Sequence, residues 1–563
     1  MAAIKGGSFL VEERTPVEIF TPDDLTEEHR AIARTADEFW AKEVEPNLES
    51  IQHHEQGVAQ RVLRKSAELG LVAITVPEAY GGMEMDLASA LVVAEHVARD
   101  GSYAAWHGAH AGIGTLPLVY FGTEEQKRKY LPKLATAEMI GAYCLTEPHA
   151  GSDALAARTR ADLNPEGTHY LLNGQKMWIT NGGAADLFTV FAKIGGEQFT
   201  AFLVERSFGG VTSGAEEKKM GIKGSSTTAV YFDNTPVPKE NLLGEIGRGH
   251  IIAFNILNIG RLKLGPFAVG GAKAVLAASL KYAKERKAFG SAIAEFGAIQ
   301  WKLAEMAIRI YAAESIVWRT AGLIAPDESL KGIEEFAVEC SIVKVFASEM
   351  LDYVADEGVQ IHGGYGYHED YAVERAYLDS RINRIFEGTN EINRLLITGM
   401  LLKRAARGQL PLVQAAQKVM GEILGQAPQD EASEEARLVR NARKIALLAM
   451  GVAYQRYLME IERQQEILMG IADIVMELFA MESVMLRSQK SGAGAEFCAV
   501  FLRDAMGRVE LSARAVLAAC NEGDALRTNM AVLRRFAKYE PVDAISLRRQ
   551  IAARLLAAGR YIV

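Results

Sequence analysis

The spacing of apolar residues changes period twice along this 563-residue chain, and that double change restricts its architecture more than any other feature. From about Thr26 to Leu134 the period is helical. "TEEHRAIARTADEFWAKEV" sets Ile32, Ala36, Phe39 and Trp40 on one face, and Thr26 with acids just after it signals an N-cap. From about Tyr143 to Leu243, short runs such as "LFTVFAKI" and "QFTAFLVER" are bounded by Asn-Gly, Gly-Gly and Pro, which predicts a compact β-barrel or sandwich. Long apolar helical stretches return from about Gly249 to Ala406, as expected of helices packed in a bundle. The predicted fold class is mostly α with a central β domain. Its expected parts are an N-terminal extension (1–25), a helical domain (26–140), a β-barrel domain (141–247), a helical-bundle domain (248–407), a linker (408–433) and a C-terminal helical extension (434–563).

Charge and composition exclude several classes. With 62 basic against 71 acidic residues and no basic stripe, the chain does not read as a nucleic-acid binder. Cys144, Cys340, Cys498 and Cys520 show neither metal-ligand nor disulfide-framework spacing, which fits a reducing compartment. The first residues carry too many acids and no apolar core for a targeting signal, and no stretch approaches the ~20 apolar residues that span a bilayer. A cytoplasmic protein is expected, with peripheral contact at the inner membrane surface as the alternative. His107 and His110 form an HxxH without a carboxylate partner nearby in sequence, so no metal site is expected. No GxGxxG opens a helix after a strand, so a nicotinamide site is not expected.

"RIFEGTNEINR" (384–394) raises the functional question. Glu387 stands between an aromatic and a glycine, just before a helix start. The acid at a turn favoured by the helix dipole is one reading; a catalytic base beside an apolar pocket, with Gly388 as hinge, is the other. Five segments in order decide between them: "YCLTEPHAGSDA" (143–154), "MWITNGG" (177–183), "ERKAFG" (285–290), "QIHGGYGY" (360–367) and "RIFEGTNE" (384–391). Together they resemble the acyl-CoA dehydrogenase family over about residues 25 to 405, whose fold ends in a four-helix bundle. The remaining tail is similar to the extra C-terminal domain of the very-long-chain members.

The resemblance implies FAD-dependent α,β-dehydrogenation of a long-chain acyl-CoA to the trans-2-enoyl-CoA in fatty acid β-oxidation. Glu387 would take the α-proton while hydride leaves for flavin N5. Tyr143, Leu145, Thr146, Gly151 and Ser152 would hold the isoalloxazine edge, with Trp178, Ile179 and Thr180 against the ring. Arg286 and Phe289 would reach the FAD of a neighbouring subunit in a homodimer, Ala288 departing from the family's usual Thr or Gln. Gln360, Gly363 and Gly364 would let the backbone approach the dinucleotide, and Thr389, Asn390 and Glu391 would offer a helix N-terminus. On the substrate side the resemblance implies Ser152, Asn258, Arg261, Phe386, Glu387 and Gly388 at the CoA thioester. Ala104 and Gly108 would lie at the pocket floor, where small residues leave room for a long tail. Electrons would pass to an electron-transfer flavoprotein. An acyl-CoA oxidase shares fold and base, and a flavin-binding assembly partner is the non-enzymatic alternative. The tail reads as a dimer cover, a membrane-surface anchor or a packed part of the core.

Overall fold

The computed structural model describes residues 4–423 and 433–563. In the N-terminal region the helices are α1 (Glu27–Phe39), α2 (Leu48–Gln52), α3 (Val58–Glu68), α4 (Leu87–His96), α5 (Gly101–Gly108), α6 (Leu116–Phe121) and α7 (Glu124–Ala135). The Thr26 hydroxyl caps α1 by accepting from the His29 N–H at 3.3 Å, and Ala36, Phe39 and Trp40 are buried on the predicted face. Both ring nitrogens of His110 are engaged: Nε2 donates to the Leu134 carbonyl (3.0 Å) and Nδ1 accepts from the Gly141 N–H (3.1 Å).

The strands are β1 (Gly141–Cys144), β2 (Arg160–Leu163), β3 (His169–Thr180), β4 (Leu187–Ile194), β5 (Gln198–Glu205), β6 (Val211–Ser213), β7 (Thr227–Pro238) and β8 (Leu242–Leu243). They form one sheet in the order β6-β7-β3-β2-β4-β5-β8, with β1 parallel to β4. β4 and β5 are buried on both faces, which is why they read as nearly continuous apolar runs. The end strands β6 and β8 have three and two residues, and no described ladder joins them, so the expected barrel is an open one with short edges.

The bundle follows: α8 (Gly249–Glu285), the hairpin β9 (Lys287–Ala288) and β10 (Ser291–Ala292), α9 (Gly297–Ile324), α10 (Leu330–Glu335), α11 (Ala337–His362), α12 (Ala372–Ser380) and α13 (Asn390–Ala406). Four of these are long, and α11 sits between α8, α9 and α13. At 1.5 Å per residue α8 is about 56 Å long, and it forms one wall of the functional cavity.

The tail comprises α14 (Leu412–Ile423), α15 (Glu434–Tyr457), α16 (Gln465–Ser491), α17 (Ala495–Cys520), α18 (Gly523–Phe536) and α19 (Ala544–Ala558). The expected linker at 408–433 thus contains a helix, because Leu412 and Val419 share a face that closes against α15. The rest of that linker, 424–432, lies outside the described residues. Helices α16 and α19 pack on α9 through buried ion pairs: Arg319–Glu482 at 2.7 Å, Arg487–Glu314 at 2.7 Å and Arg548–Glu305 at 2.6 Å. The N-terminal extension threads between bundle and tail. Its Gly7 N–H donates to Glu339 (2.7 Å), and the Phe9 carbonyl accepts from Arg443 Nε (2.9 Å). Extension and tail are both built into the core. No described helix is long and apolar enough to cross a membrane.

Candidate active site

A cavity of about 1590 Å³ opens between α8, the sheet and the loop before α13. On its α8 side it is lined from His250 to Ala277, which spans about 40 Å of helix at 1.5 Å per residue. It gathers segments far apart in sequence: Tyr143, Leu145, Thr146, Gly151 and Ser152 after β1; Trp178, Ile179 and Thr180 at the end of β3; Asn258 and Arg261 on α8; Phe386, Glu387 and Gly388 before α13; Ala104 and Gly108 on α5.

Glu387 sits at its centre with φ of 57°, a left-handed conformation that costs a non-glycine residue about 1–3 kcal/mol. Its neighbours explain how that strain is held. Arg261 Nε donates to the Glu387 carbonyl (3.2 Å), and Lys344 Nζ and Asn393 Nδ2 both donate to the Gly388 carbonyl (2.7 Å each). Gly388 has φ of 81°, so glycine is required there. With its carbonyl doubly gripped, however, it is a fixed corner and not the loose hinge expected from the sequence.

The Glu387 side chain is left free by contrast. Its Oε2 is enclosed and has no hydrogen-bond partner among the described residues. Burial pushes the carboxyl up to about 7, against the opposing pull of Arg261 and Lys344. Lys344 moves the other way, pushed down to about 7 by burial. Gly260 makes room for the acid: a Cβ at that position would lie 2.7 Å from Glu387 Oε2. The Glu387 N–H meets no backbone acceptor among the described residues.

Trp178 owes its position to a break in the ladder. Pairing of β3 with β7 slips between Lys176 and Ile179, and Trp178 takes φ of 54° and stays 62% exposed beside the buried Ile179. The loop opposite is clasped to this bulge. The wholly buried Lys176 donates to Glu147 Oε1 (2.7 Å) and to the Leu145 carbonyl (3.2 Å), while the Met177 N–H donates to the Thr146 carbonyl (2.9 Å). Losing one partner of such a buried pair costs about 3–5 kcal/mol. Three of the ten described non-glycine residues with positive φ, Trp178, Phe289 and Glu387, are candidate site residues, so backbone strain concentrates there.

Most of the remaining candidates divide between a second cavity, the start of α13 and the wall of the first cavity. Arg286, Phe289, Gly363 and Gly364 line a second cavity of about 910 Å³, apart from the first. There Phe289 is 98% exposed, and the Arg286 guanidinium lies 5.5 Å from the Tyr365 ring centre. Gln360 is exposed and lines neither cavity. The Thr389 hydroxyl caps α13 by accepting from the Ile392 N–H, and Glu391 is exposed in the first turn. Asn390 is buried: its amide bonds Lys344, Ser348 and Glu349, which leaves no free side chain for a cofactor. Arg261 is buried too, bonded to Asn258 Oδ1 (2.8 Å) and the Glu387 carbonyl, so it braces the loop that carries Glu387 while lining the cavity. Gly108 lines the cavity beneath Phe267, whose ring would lie 3.0 Å from a Cβ there.

Sequence reasoning missed Lys344, Asn393, the Lys176–Glu147 pair and the packing of Gly260. Glu147 lies inside one quoted motif and Lys176 directly precedes another, but only the fold reveals that they meet.

Comparison with known proteins accounts for this arrangement. Residues 26–138, 142–235 and 247–402 match the acyl-CoA dehydrogenase N-terminal, middle and C-terminal domains, and 441–535 match a further acyl-CoA dehydrogenase C-terminal domain. The chain is 49% identical to a probable acyl-CoA dehydrogenase of Bacillus subtilis (strain 168), over 99% of this chain and 98% of that one. It is 38% identical to the mitochondrial very long-chain specific acyl-CoA dehydrogenase of Rattus norvegicus, over 77% of this chain and 70% of that one. The crystal structure of an acyl-CoA dehydrogenase complexed with FAD from Bacillus anthracis matches it with a TM-score of 0.97 at 50% identity, covering 100% of both chains. The butyryl-CoA dehydrogenase of Megasphaera elsdenii gives 0.63 at 36%, covering 67% of this chain and 99% of that one. By fold, by site and by likeness along its whole length, this chain belongs to the acyl-CoA dehydrogenase family and is an FAD-dependent oxidoreductase.

Proposed function

We propose that the enzyme converts long-chain fatty acyl-CoA to trans-2-enoyl-CoA, with Glu387 as the base that removes the α-proton. The observation that carries this reading is a buried carboxyl group, its Oε2 unpartnered among the described residues, facing a cavity that follows α8 past it. A general base of pKa near neutrality is matched to a weak carbon acid. The Glu387 N–H, free of backbone acceptors, would donate to the thioester carbonyl as charge builds on its oxygen, a contribution of about 3 kcal/mol by analogy with other oxyanion holes. Arg261, Lys344 and Asn393 hold the loop in the strained form that presents both groups.

The residues present fit FAD. Trp178 offers an exposed indole on the cavity wall, and the open Gly151 stands in the clasped loop opposite. FAD held between them would supply the acceptor for the β-hydride, with an electron-transfer flavoprotein as the onward partner. Arg286, Phe289, Gly363 and Gly364 line a separate exposed cavity, which supports a homodimer in which they complete the partner's FAD site. Long chains are favoured because α8 lines the cavity for about 26 Å beyond Gly260, as far as Ala277. Phe267, over Gly108, would swing aside for the tail.

Anaerobic addition of palmitoyl-CoA to the FAD-loaded enzyme is expected to bleach the flavin band, more readily than short-chain thioesters do. Indifference to every acyl thioester would overturn the reading. Hydrogen peroxide release in air, matching substrate consumed, would assign the electrons to O₂ instead.

A further inference from the structure

One charged group in the cavity has no role in the mechanism above. Lys263 lies one helical turn beyond Gly260 on α8, about 4.5 Å along the axis, and lines the same cavity on the side leading to Phe267, Gly270 and Ala274. It is 9% exposed, and among the described residues it makes no hydrogen bond and no ion pair. Burial alone pushes its ammonium down to about 8, with no carboxylate close enough to act on it. Other lysines at this site differ: the buried Lys344 bonds Gly388 and Asn390, the buried Lys176 pairs with Glu147, and the half-buried Lys273 pairs with Glu95 and Glu314. A second unpartnered polar atom stands nearby. His107 Nε2, on α5, is buried without a hydrogen bond, and the Lys263 charge helps hold that imidazole neutral.

A cation in an apolar channel is costly unless something pairs with it. A plain alkyl tail would leave Lys263 unpaired when it displaces water from the channel. An acyl chain carrying a carboxylate a few carbons past the thioester would supply the missing counter-charge.

We infer that Lys263 forms an anion subsite in the acyl half of the cavity, which lets the enzyme accept acyl-CoA chains that end in a carboxylate at medium length. This rests on the dehydrogenation reading and extends it to a second substrate class. No new chemistry is required: Glu387 removes the same α-proton and the β-hydride leaves as before. Lys263 only binds, so it is a specificity residue and not a catalytic one.

The test compares matched pairs on the FAD-loaded enzyme: adipoyl-, suberoyl- and sebacoyl-CoA against hexanoyl-, octanoyl- and decanoyl-CoA. The ratio of kcat/KM, dicarboxylyl over plain, is measured for the wild type, Lys263→Met and Lys263→Arg. The expected result is a ratio that peaks at one length in the wild type, falls at least tenfold in Lys263→Met through KM, and largely recovers in Lys263→Arg. A ratio that stays within twofold in Lys263→Met, or a wild type that rejects all three dicarboxylyl thioesters while oxidising the plain ones, would overturn the subsite and leave the dehydrogenation reading standing. Should Lys263→Met fail to fold, the wild-type length profile decides. No bleaching by any of the six, or by palmitoyl-CoA, would overturn both.

Discussion

A carboxylate that is to take a proton from carbon must be ionised yet poorly solvated; among the described residues nothing hydrogen-bonds Glu387 Oε2, while the nearby Arg261 and Lys344 favour its charged form. Burial puts its pKa at about 7, and only the deprotonated form accepts a proton. The rate of flavin reduction is therefore expected to rise as pH increases through about 7 and to level off above it. A profile that is flat from about pH 5.5 to about 8.5 would remove Glu387 from that role. Glu387→Gln should retain bound FAD and lose about 10³-fold in rate, within the range of a general base; near-normal turnover would reassign the base. Gly260→Ala tests the space around the acid, since its Cβ would press on Oε2 at 2.7 Å. A displaced carboxylate should lower kcat on the order of 10²-fold, and stopped-flow reduction of the flavin would measure it. Glu387 was legible in the sequence because its motif is contiguous. That Gly260 touches Glu387, 127 positions on, is a fact of the fold.

Between elements, the loop that carries Glu387 is tied to the tail. Arg394, in the first turns of α13, bonds Glu349 on α11 in a bidentate pair (2.7 and 3.0 Å) and Asp473 on α16 at 2.7 Å. Glu349 in turn accepts from Asn390 at the start of α13. Asp473→Asn should therefore loosen the start of α13 and lower kcat by about threefold to tenfold while leaving FAD content unchanged. An unaltered kcat in the folded variant would count against the linkage. The same scale explains which elements could be read in advance. The N-cap at Thr26 and the long helices of the bundle follow local rules. The bulge at Trp178 does not: β3 slips twice against β7, and the second slip follows Lys176, which turns inward to meet Glu147, 29 residues earlier. Helix α14 was taken for linker because its apolar face is short and becomes decisive only once α15 covers it.

For the whole molecule, the order of helical, β and helical regions was plain from periodicity, whereas the way the tail attaches was not. It is held by ion pairs whose members lie more than a hundred residues apart and are almost wholly buried. Glu482, which accepts from both Arg319 (2.7 Å) and Arg443 (2.5 Å), is the centre of one such group. Glu482→Ala should cost about 3–5 kcal/mol by stranding two cations, seen as a marked drop in the midpoint of thermal unfolding; a midpoint within a degree or two of the parent would contradict this. The consequence reaches protein engineering. The butyryl-CoA dehydrogenase of Megasphaera elsdenii matches only 67% of this chain, which invites the thought that the last third is a removable module. Here α9 carries Glu305, Glu314 and Arg319, and each finds a counter-ion on a tail helix. Shortening the gene to the size of such relatives would strip α9 of these partners and leave Arg319 without its carboxylate, so chimeras and trimmed expression fragments should keep bundle and tail together as a single folding unit.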